Sequence, residues 1–90
     1  MGNEIYFKTA LGGYNKDDVL AKIDAYTCLI TAIDSAIMSD AAINAELLKI
    51  RHMPMKKAKC LFLPASGFSI PDVDEYIREL EKEIANKVML

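Results

Sequence analysis

The sequence predicts a mainly α protein, a helical coiled-coil-like bundle made of two related halves, and three observations carry that reading. One stretch of the chain matches a later stretch at a constant offset of 54 residues. Each copy opens a helix with a recognisable cap. From each cap, apolar residues recur at spacings of four and three, the period of a helical seam. The 90 residues are 52% hydrophobic, which suffices for one domain spanning 1–90. A chain this short buries only about two-thirds of the surface its unfolded form exposes, so pairing with a second chain would help it.

The matching stretches are Gly13-Tyr14-Asn15-Lys16-Asp17-Asp18-Val19 and Gly67-Phe68-Ser69-Ile70-Pro71-Asp72-Val73. Upstream, Phe7 falls opposite Leu61 within the apolar runs Ile5-Tyr6-Phe7 and Cys60-Leu61-Phe62-Leu63. Downstream, Ile23 matches Ile77, Tyr26 matches Leu80 and Ile30 matches Ile84. The same order of apolar run, glycine, aromatic, cap and heptad occurs twice, which reads as an internal repeat. The repeats span about 4–38 and 58–90, with a helical or loop connector at 39–57. Each is expected to be a short extended segment and a turn leading into a capped amphipathic helix.

The extended segments come first in each repeat: Glu4 to Thr9, ending near Gly12-Gly13, and Met55 to Leu63, ending at Pro64 and Gly67. They are expected to pair as a small ribbon or to pack across the helix ends. Asn15 and Ser69 then serve as N-caps, with Asp18 and Asp72 at the third helical position, close to a capping box. Pro71 sits in a first turn, where its missing N–H costs nothing.

In the first helix Val19, Ile23, Tyr26, Ile30, Ile33 and Ile37 form the seam, and a helix from Lys16 to Met38 would be about 35 Å long. Strict continuation would place Asp40 and Asn44 in that seam, so a break near Ser39 and a stutter there are both open. Ser39 or Asp40 could cap a second helical piece reaching about Arg51, before Met53-Pro54 stops it. In the last helix Val73, Ile77, Leu80, Ile84 and Val88 mark one apolar stripe, opposite Glu75, Arg78, Glu79, Lys82 and Glu83.

Chemistry-bearing clusters are scarce. The pairs Asp34-Ser35 and Asp17-Asp18 come with no base, metal set or glycine-rich phosphate cradle, so no enzyme, no metal and no cofactor is expected. Cys28 and Cys60, 32 positions apart, match no zinc or thiol–disulfide spacing and are expected to be reduced and buried. A net charge of -2 gives no global basic excess, and nucleic-acid binding is not expected. The residues after Met1 do not read as a secretory signal, and no apolar run approaches the roughly 20 residues of a membrane span, so the chain is expected to be cytoplasmic. The lysines of His52-Met53-Pro54-Met55-Lys56-Lys57-Ala58-Lys59 read as a solvated linker. Tyr14 and Phe68 read first as packing residues that seal the helix starts.

From Phe7 through Tyr26 and again from Leu61 through Glu83, about half the chain resembles the N-terminal domain of the bacterial DivIVA and GpsB family. The defining stretch of that family runs aromatic, spacer, Arg-Gly-Tyr, polar cap, acidic residue and Val, then a parallel coiled coil. Gly13-Tyr14-Asn15-Lys16-Asp17-Asp18-Val19 and Asp72-Val73-Asp74-Glu75-Tyr76-Ile77 carry the likeness. The resemblance implies a scaffold of division septa and cell poles, at the septum or the inner face of the membrane. One branch of the family contacts membranes through a loop with an aromatic and an arginine before Gly-Tyr. Those places are Leu11-Gly12 and Ala65-Ser66 here, so the arginine is missing twice and Leu11 is the candidate contact. The other branch holds a peptide from a cell-wall synthase in a groove. Its tyrosine place is Tyr14 or Phe68, its acid place Leu20 or Asp74, and its paired place Ile23-Asp24 or Ile77-Arg78. Tyr14, Asp24 and Asp74 would then serve unequal grooves suited to an arginine-containing peptide.

Two arrangements fit these elements. In one, the two halves pack side by side with their first helical turns at the same end, and the chain mimics a family dimer. In the other, a continuous helix from Lys16 to about Arg51 folds against the last helix as an antiparallel hairpin. The expected function is a non-enzymatic scaffold or adaptor that assembles with itself, as a dimer or larger, and with protein or peptide partners. The alternative is a small regulatory adaptor for a single partner, with no membrane or septal role.

Overall fold

Helix α1 (Lys16–Asp34) starts where its cap directs it, because the Asn15 side chain accepts the Asp18 N–H at 3.0 Å. In the computed structural model, which describes residues 7–88, α1 ends sooner than its apolar spacing suggests. The hydroxyls of Thr27, Thr31 and Ser35 each donate to the carbonyl four residues back, competing with the helical ladder. Ala36 then adopts a left-handed conformation, φ 56°, which no helix continues through. Ile37, expected to extend the seam, lies beyond this break and is 75% exposed. Ser39 accepts the Ala42 N–H and caps α2 (Asp40–Arg51), so the chain breaks here and the continuous-helix arrangement does not form.

Helix α2 runs back along α1. Lys22, in the first turns of α1, donates from Nζ to the carbonyls of Arg51 and Met53 at the end of α2. Helix α3 (Ile70–Lys87) lies beside α1 in the same direction. Tyr14 meets Asp74, Tyr26 meets Glu81 and Asp34 meets Lys87, so contacts advance together along both helices. Val19 and Val73 are fully buried in one core at the shared starting end.

That core joins Val19, Ile23, Tyr26 and Leu29 of α1, Ile43 and Ile50 of α2, and Val73, Leu80 and Ile84 of α3. Ile30, Ile33, Ile77 and Val88 are half-buried at its margin. Lys22 and Leu29 were outside the predicted seam. They are buried because α2 covers a second flank of α1, beside the seam.

Four short strands complete the described residues. Strand β1 (Thr9–Leu11) pairs antiparallel with β4 (Ser66–Phe68), Ala10 opposite Gly67. Strands β2 (Lys59–Cys60) and β3 (Leu63–Pro64) form a separate hairpin, Cys60 opposite Leu63. A ribbon does form, but between Thr9–Leu11 and Ser66–Phe68, at or past the ends of both expected segments, Glu4 to Thr9 and Met55 to Leu63. The apolar run at 60–63 is spent on a hairpin, whose two-residue turn Leu61-Phe62 holds Leu61 at φ 58°. Phe7 and Leu61 consequently differ in surroundings, the first packed on the core and the second exposed. Residues 4–6, with Ile5 and Tyr6 of the first extended segment, and residues 89–90 lie outside the described part. Both cysteines are exposed, against expectation: Cys28 stands at the open margin between α1 and α2, beside Glu46 and Ile50, and Cys60 stands on the hairpin.

Candidate functional site at the crossed helix starts

Two glycine–aromatic pairs cross at the shared end of α1 and α3. The Tyr14 N–H donates to the Phe68 carbonyl and the Phe68 N–H to the Tyr14 carbonyl, both at 2.9 Å. Gly13 and Gly67 stand back to back in this crossing. A Cβ on Gly13 would drive into the Phe68 carbonyl, and one on Gly67 into the Tyr14 carbonyl. Only the absence of a side chain allows two backbones to approach so closely.

The helix starts are then tied down reciprocally. The Asn15 N–H donates to the Lys56 carbonyl, while the Lys56 N–H donates to Asp18 Oδ2 at 2.9 Å. At the other start the Ser69 N–H donates to the Lys8 carbonyl, while the Lys8 N–H donates to Asp72 Oδ2 at 3.2 Å. Asp18 and Asp72 were expected to act as caps, close to a capping box, on their own helices. Each instead accepts from the segment that precedes the other helix. Spacing alone cannot tell these uses apart, because both need a carboxylate three residues after the cap. Ser69 keeps the N-cap position but its side chain makes no cap hydrogen bond.

Around the crossing, Phe7 packs on Phe68 with ring centroids 5.2 Å apart and meets Tyr76 edge-on at 5.6 Å. Lys16 Nζ lies 5.5 Å above the Phe68 ring, a cation–π contact. The Tyr14 hydroxyl donates to Asp74 Oδ1 at 2.8 Å. Burial and then the Asp74 carboxylate raise the Tyr14 pKa above its ordinary value, so the phenol stays protonated at neutral pH.

Of the groove residues proposed from the sequence, Tyr14, Phe68 and Asp74 are brought together here. Ile23 is buried in the core and Ile77 half-buried beside it, so both act as packing. Asp24 is exposed on α1, outside the described bonds of this crossing. Leu11 is exposed at the end of β1, and its neighbour Gly12 lines a hollow with Phe62.

A second polar cluster lies further along the helices. Arg51 grips Glu81 through Nε and Nη2, the Nη2 contact at 2.8 Å, and the Tyr26 hydroxyl donates to the same carboxylate. Arg51 holds the Glu81 pKa low against the opposing effect of burial, while burial raises that of Tyr26 and lowers that of Lys22. Sequence reasoning missed this cluster because its members lie on three helices.

Chemically, the crossing offers hydrogen bonds, an aromatic surface and a carboxylate. Among the described residues no group of three His, Cys, Asp or Glu side chains could hold a metal ion. No helix is long and apolar enough to cross a membrane, again among the described residues. No known protein family, curated protein or solved structure matches the chain.

Proposed function

We propose that this protein is a non-enzymatic scaffold or adaptor of DivIVA and GpsB type, in which two degenerate copies fused in one chain imitate a dimer. The observation that carries the reading is the reciprocal crossing. Gly13-Tyr14 and Gly67-Phe68, the pairs that align in sequence, exchange the same two backbone bonds, and each helix start is closed by the segment before the other. The pattern supports two copies related by an approximate two-fold, each with a seam helix pointing the same way. Under this reading Tyr14 and Asp74 form the better-equipped of two unequal peptide sites, and an arginine-bearing partner would engage the Asp74 oxygen that Tyr14 leaves free.

The second reading is an adaptor for one soluble protein, and a specific observation favours it. The apolar stripe of α3 is covered within the chain by α1, so Val73, Leu80 and Ile84 are not available to extend a seam to another copy. Self-association then has to use surfaces such as exposed Leu20, Ile37 and Leu48. Sedimentation across a wide concentration range decides between assembly and a strict monomer. Recovery of division and wall-synthesis proteins with the tagged chain from its native host, with septal fluorescence of a fusion, supports the first reading. A single unrelated enzyme with diffuse fluorescence supports the second.

A further inference from the structure

The buried residues of α1 and α2 keep one period across the turn that separates the two helices. Lys22, Leu29, Ala36, Ile43 and Ile50 stand at intervals of seven, and all but Ala36 are buried. Tyr26, Ile33 and Leu47, buried or half-buried, each follow one of these by four. Spacings of four and three that run through a junction belong to one continuous helix. A chain that only ever turns here has no reason to keep that phase. The turn itself is poorly supported. Ala36 is exposed and left-handed, φ 56°, a conformation costly for a residue with a Cβ. Ser35-Ala36-Ile37-Met38-Ser39 holds no glycine or proline, and its Ile37 is 75% exposed. Contacts between the two helices are also symmetric about Ala36. Lys22 reaches the carbonyls of Arg51 and Met53, and Cys28 shares a hollow with Glu46. An antiparallel helix from elsewhere, centred on Ala36, would meet the same residues.

We propose that two copies of this chain exchange everything beyond this turn: α1 and α2 straighten into one helix, and the α2, β4 and α3 of each copy pack on the α1 and β1 of the other. The extent of the exchange follows from reach. Straightening puts Arg51 about 50 Å from Lys16 of its own chain. The residues from His52 to Lys56 span at most about 18 Å, yet Lys56 must bond Asn15, so it bonds the Asn15 of the second copy. Every contact of the core is then kept, between chains instead of within one. Both copies shed the left-handed Ala36, and the two long helices cross where Ala36 meets its counterpart, a residue small enough for close approach. Ile37 stands beside that crossing and gains cover. A short connection under strain is the condition that favours such an exchange over closure within the chain. Exchange rests on the self-associating reading and supplies a route to assembly that needs no free apolar face.

Cross-linking of the full chain tests it. Glu46→Cys places a second thiol on the hollow that Cys28 lines, and Cys60→Ser removes the other exposed thiol. The double variant is refolded from urea over a range of concentrations, and monomer and dimer are separated on a sizing column. Exchange requires the fold to open, so the two species interconvert slowly. A short bis-maleimide is then expected to join positions 28 and 46 within one chain in the monomer fraction and between two chains in the dimer fraction, where a denaturing gel shows a covalent dimer. Ala36→Gly is expected to weaken dimerisation at least about tenfold, because glycine accepts the turn and resists the helix. Position 36 is exposed, so the circular dichroism spectrum of the monomer should not change. A dimer whose cross-links all stay within one chain overturns the exchange and leaves self-association standing. Dimerisation indifferent to Ala36→Gly also overturns the exchange. A strict monomer at every refolding concentration overturns both.

Discussion

The two helix starts share one backbone plan and differ in their side chains. At the first, Asn15 caps with its side chain, Tyr14 bonds Asp74, and the preceding glycine pair Gly12-Gly13 follows a plain strand. At the second, Ser69 makes no side-chain cap, Phe68 has no hydroxyl to offer, and a hairpin interrupts the approach. The shared part is what the crossing itself demands: a glycine, an aromatic, and a carboxylate three residues past the cap. The parts that differ are those the crossing does not constrain. They are also the parts that face solvent or a partner, which is where two halves of one chain are free to take separate roles.

The largest effect is expected where the starts are most alike. Gly13→Ala and Gly67→Ala each force a methyl group into a backbone carbonyl that cannot step aside like a flexible side chain. Overpacking of this kind costs about 1–3 kcal/mol in ordinary cores, and more is expected here because backbone must move. Against a total stability of about 5–10 kcal/mol for a domain of this size, either variant should unfold at much lower urea. Chemical denaturation followed by circular dichroism measures both. A large loss in one and none in the other would break the equivalence of the two starts.

The next effect tests the flank that only one half possesses. Arg51 comes from α2, and among the described residues its ion pair with Glu81 has no matching element on the other side of α3. Glu81→Gln is expected to cost about 1 kcal/mol, since both partners are part-exposed and solvent screens them. The folded-state pKa of Glu81 lies below its ordinary 4.5, chiefly through the Arg51 hydrogen bonds. The unfolded chain therefore binds the proton more readily, so this stabilisation is present above pH 4.5 and is lost as pH falls through the folded-state value. Thermal melts of wild type and Glu81→Gln should converge as the pH is lowered below 4.5. Curves that stay parallel would remove the pair from any role in acid stability.

Tyr14→Phe makes the first aromatic like the second, at an expected cost of about 0.5–1.5 kcal/mol for one hydrogen bond. Because the folded-state pKa of Tyr14 is raised above 10.0, its contribution is whole at neutral pH and lost as pH rises through that value. Ultraviolet absorbance should show one fewer late-ionising tyrosine in the variant. Loss of an ordinary tyrosine step in place of a late one would mean that the Asp74 contact is not formed in solution.

Much of the helical plan is legible in the sequence because its signals are local. Asn15, Ser39 and Pro71 mark starts through bonds made within one turn, and the spacing of Val19, Ile23 and Tyr26 reports a face whose burial the structure repeats. The failures share a different cause. Ile37 fits the period but falls after Ala36, where the left-handed turn leaves no trace in an alanine. Cys60-Leu61-Phe62-Leu63 looks like buried strand because it is apolar, and it turns without glycine or asparagine. Lys22 is hidden by its own charge, since nothing nearby announces that the carbonyls closing α2 will receive it. At the site, Tyr14, Phe68 and Asp74 were singled out by the family resemblance, as places of its peptide groove. The roles of Lys8 and Lys56 were not, because backbone groups carry no residue signature.

The smallest effect separates the caps. Asn15 and Ser69 have nearly the same backbone, φ -55°, ψ 128° and φ -55°, ψ 127°, yet only the Asn15 side chain accepts from the N–H three residues on. A serine makes this bond from a more extended backbone, as Ser39 does at φ -77°, ψ 163°, so at the backbone angles shared by Asn15 and Ser69 it is the longer asparagine side chain that closes the cap. Asn15→Ala should cost about 1 kcal/mol, and Ser69→Ala only a few tenths. Ser69→Asn should place an amide oxygen where the Asp72 N–H points and stabilise the chain by up to about 1 kcal/mol. Urea midpoints of the three variants at fixed m-value measure this. A gain from Ser69→Asn would mean that the second start has kept the geometry of a cap whose side chain it lost. No gain would place the obstacle in the neighbouring Ile70-Pro71 turn, and the likeness of the two starts would then end at the backbone.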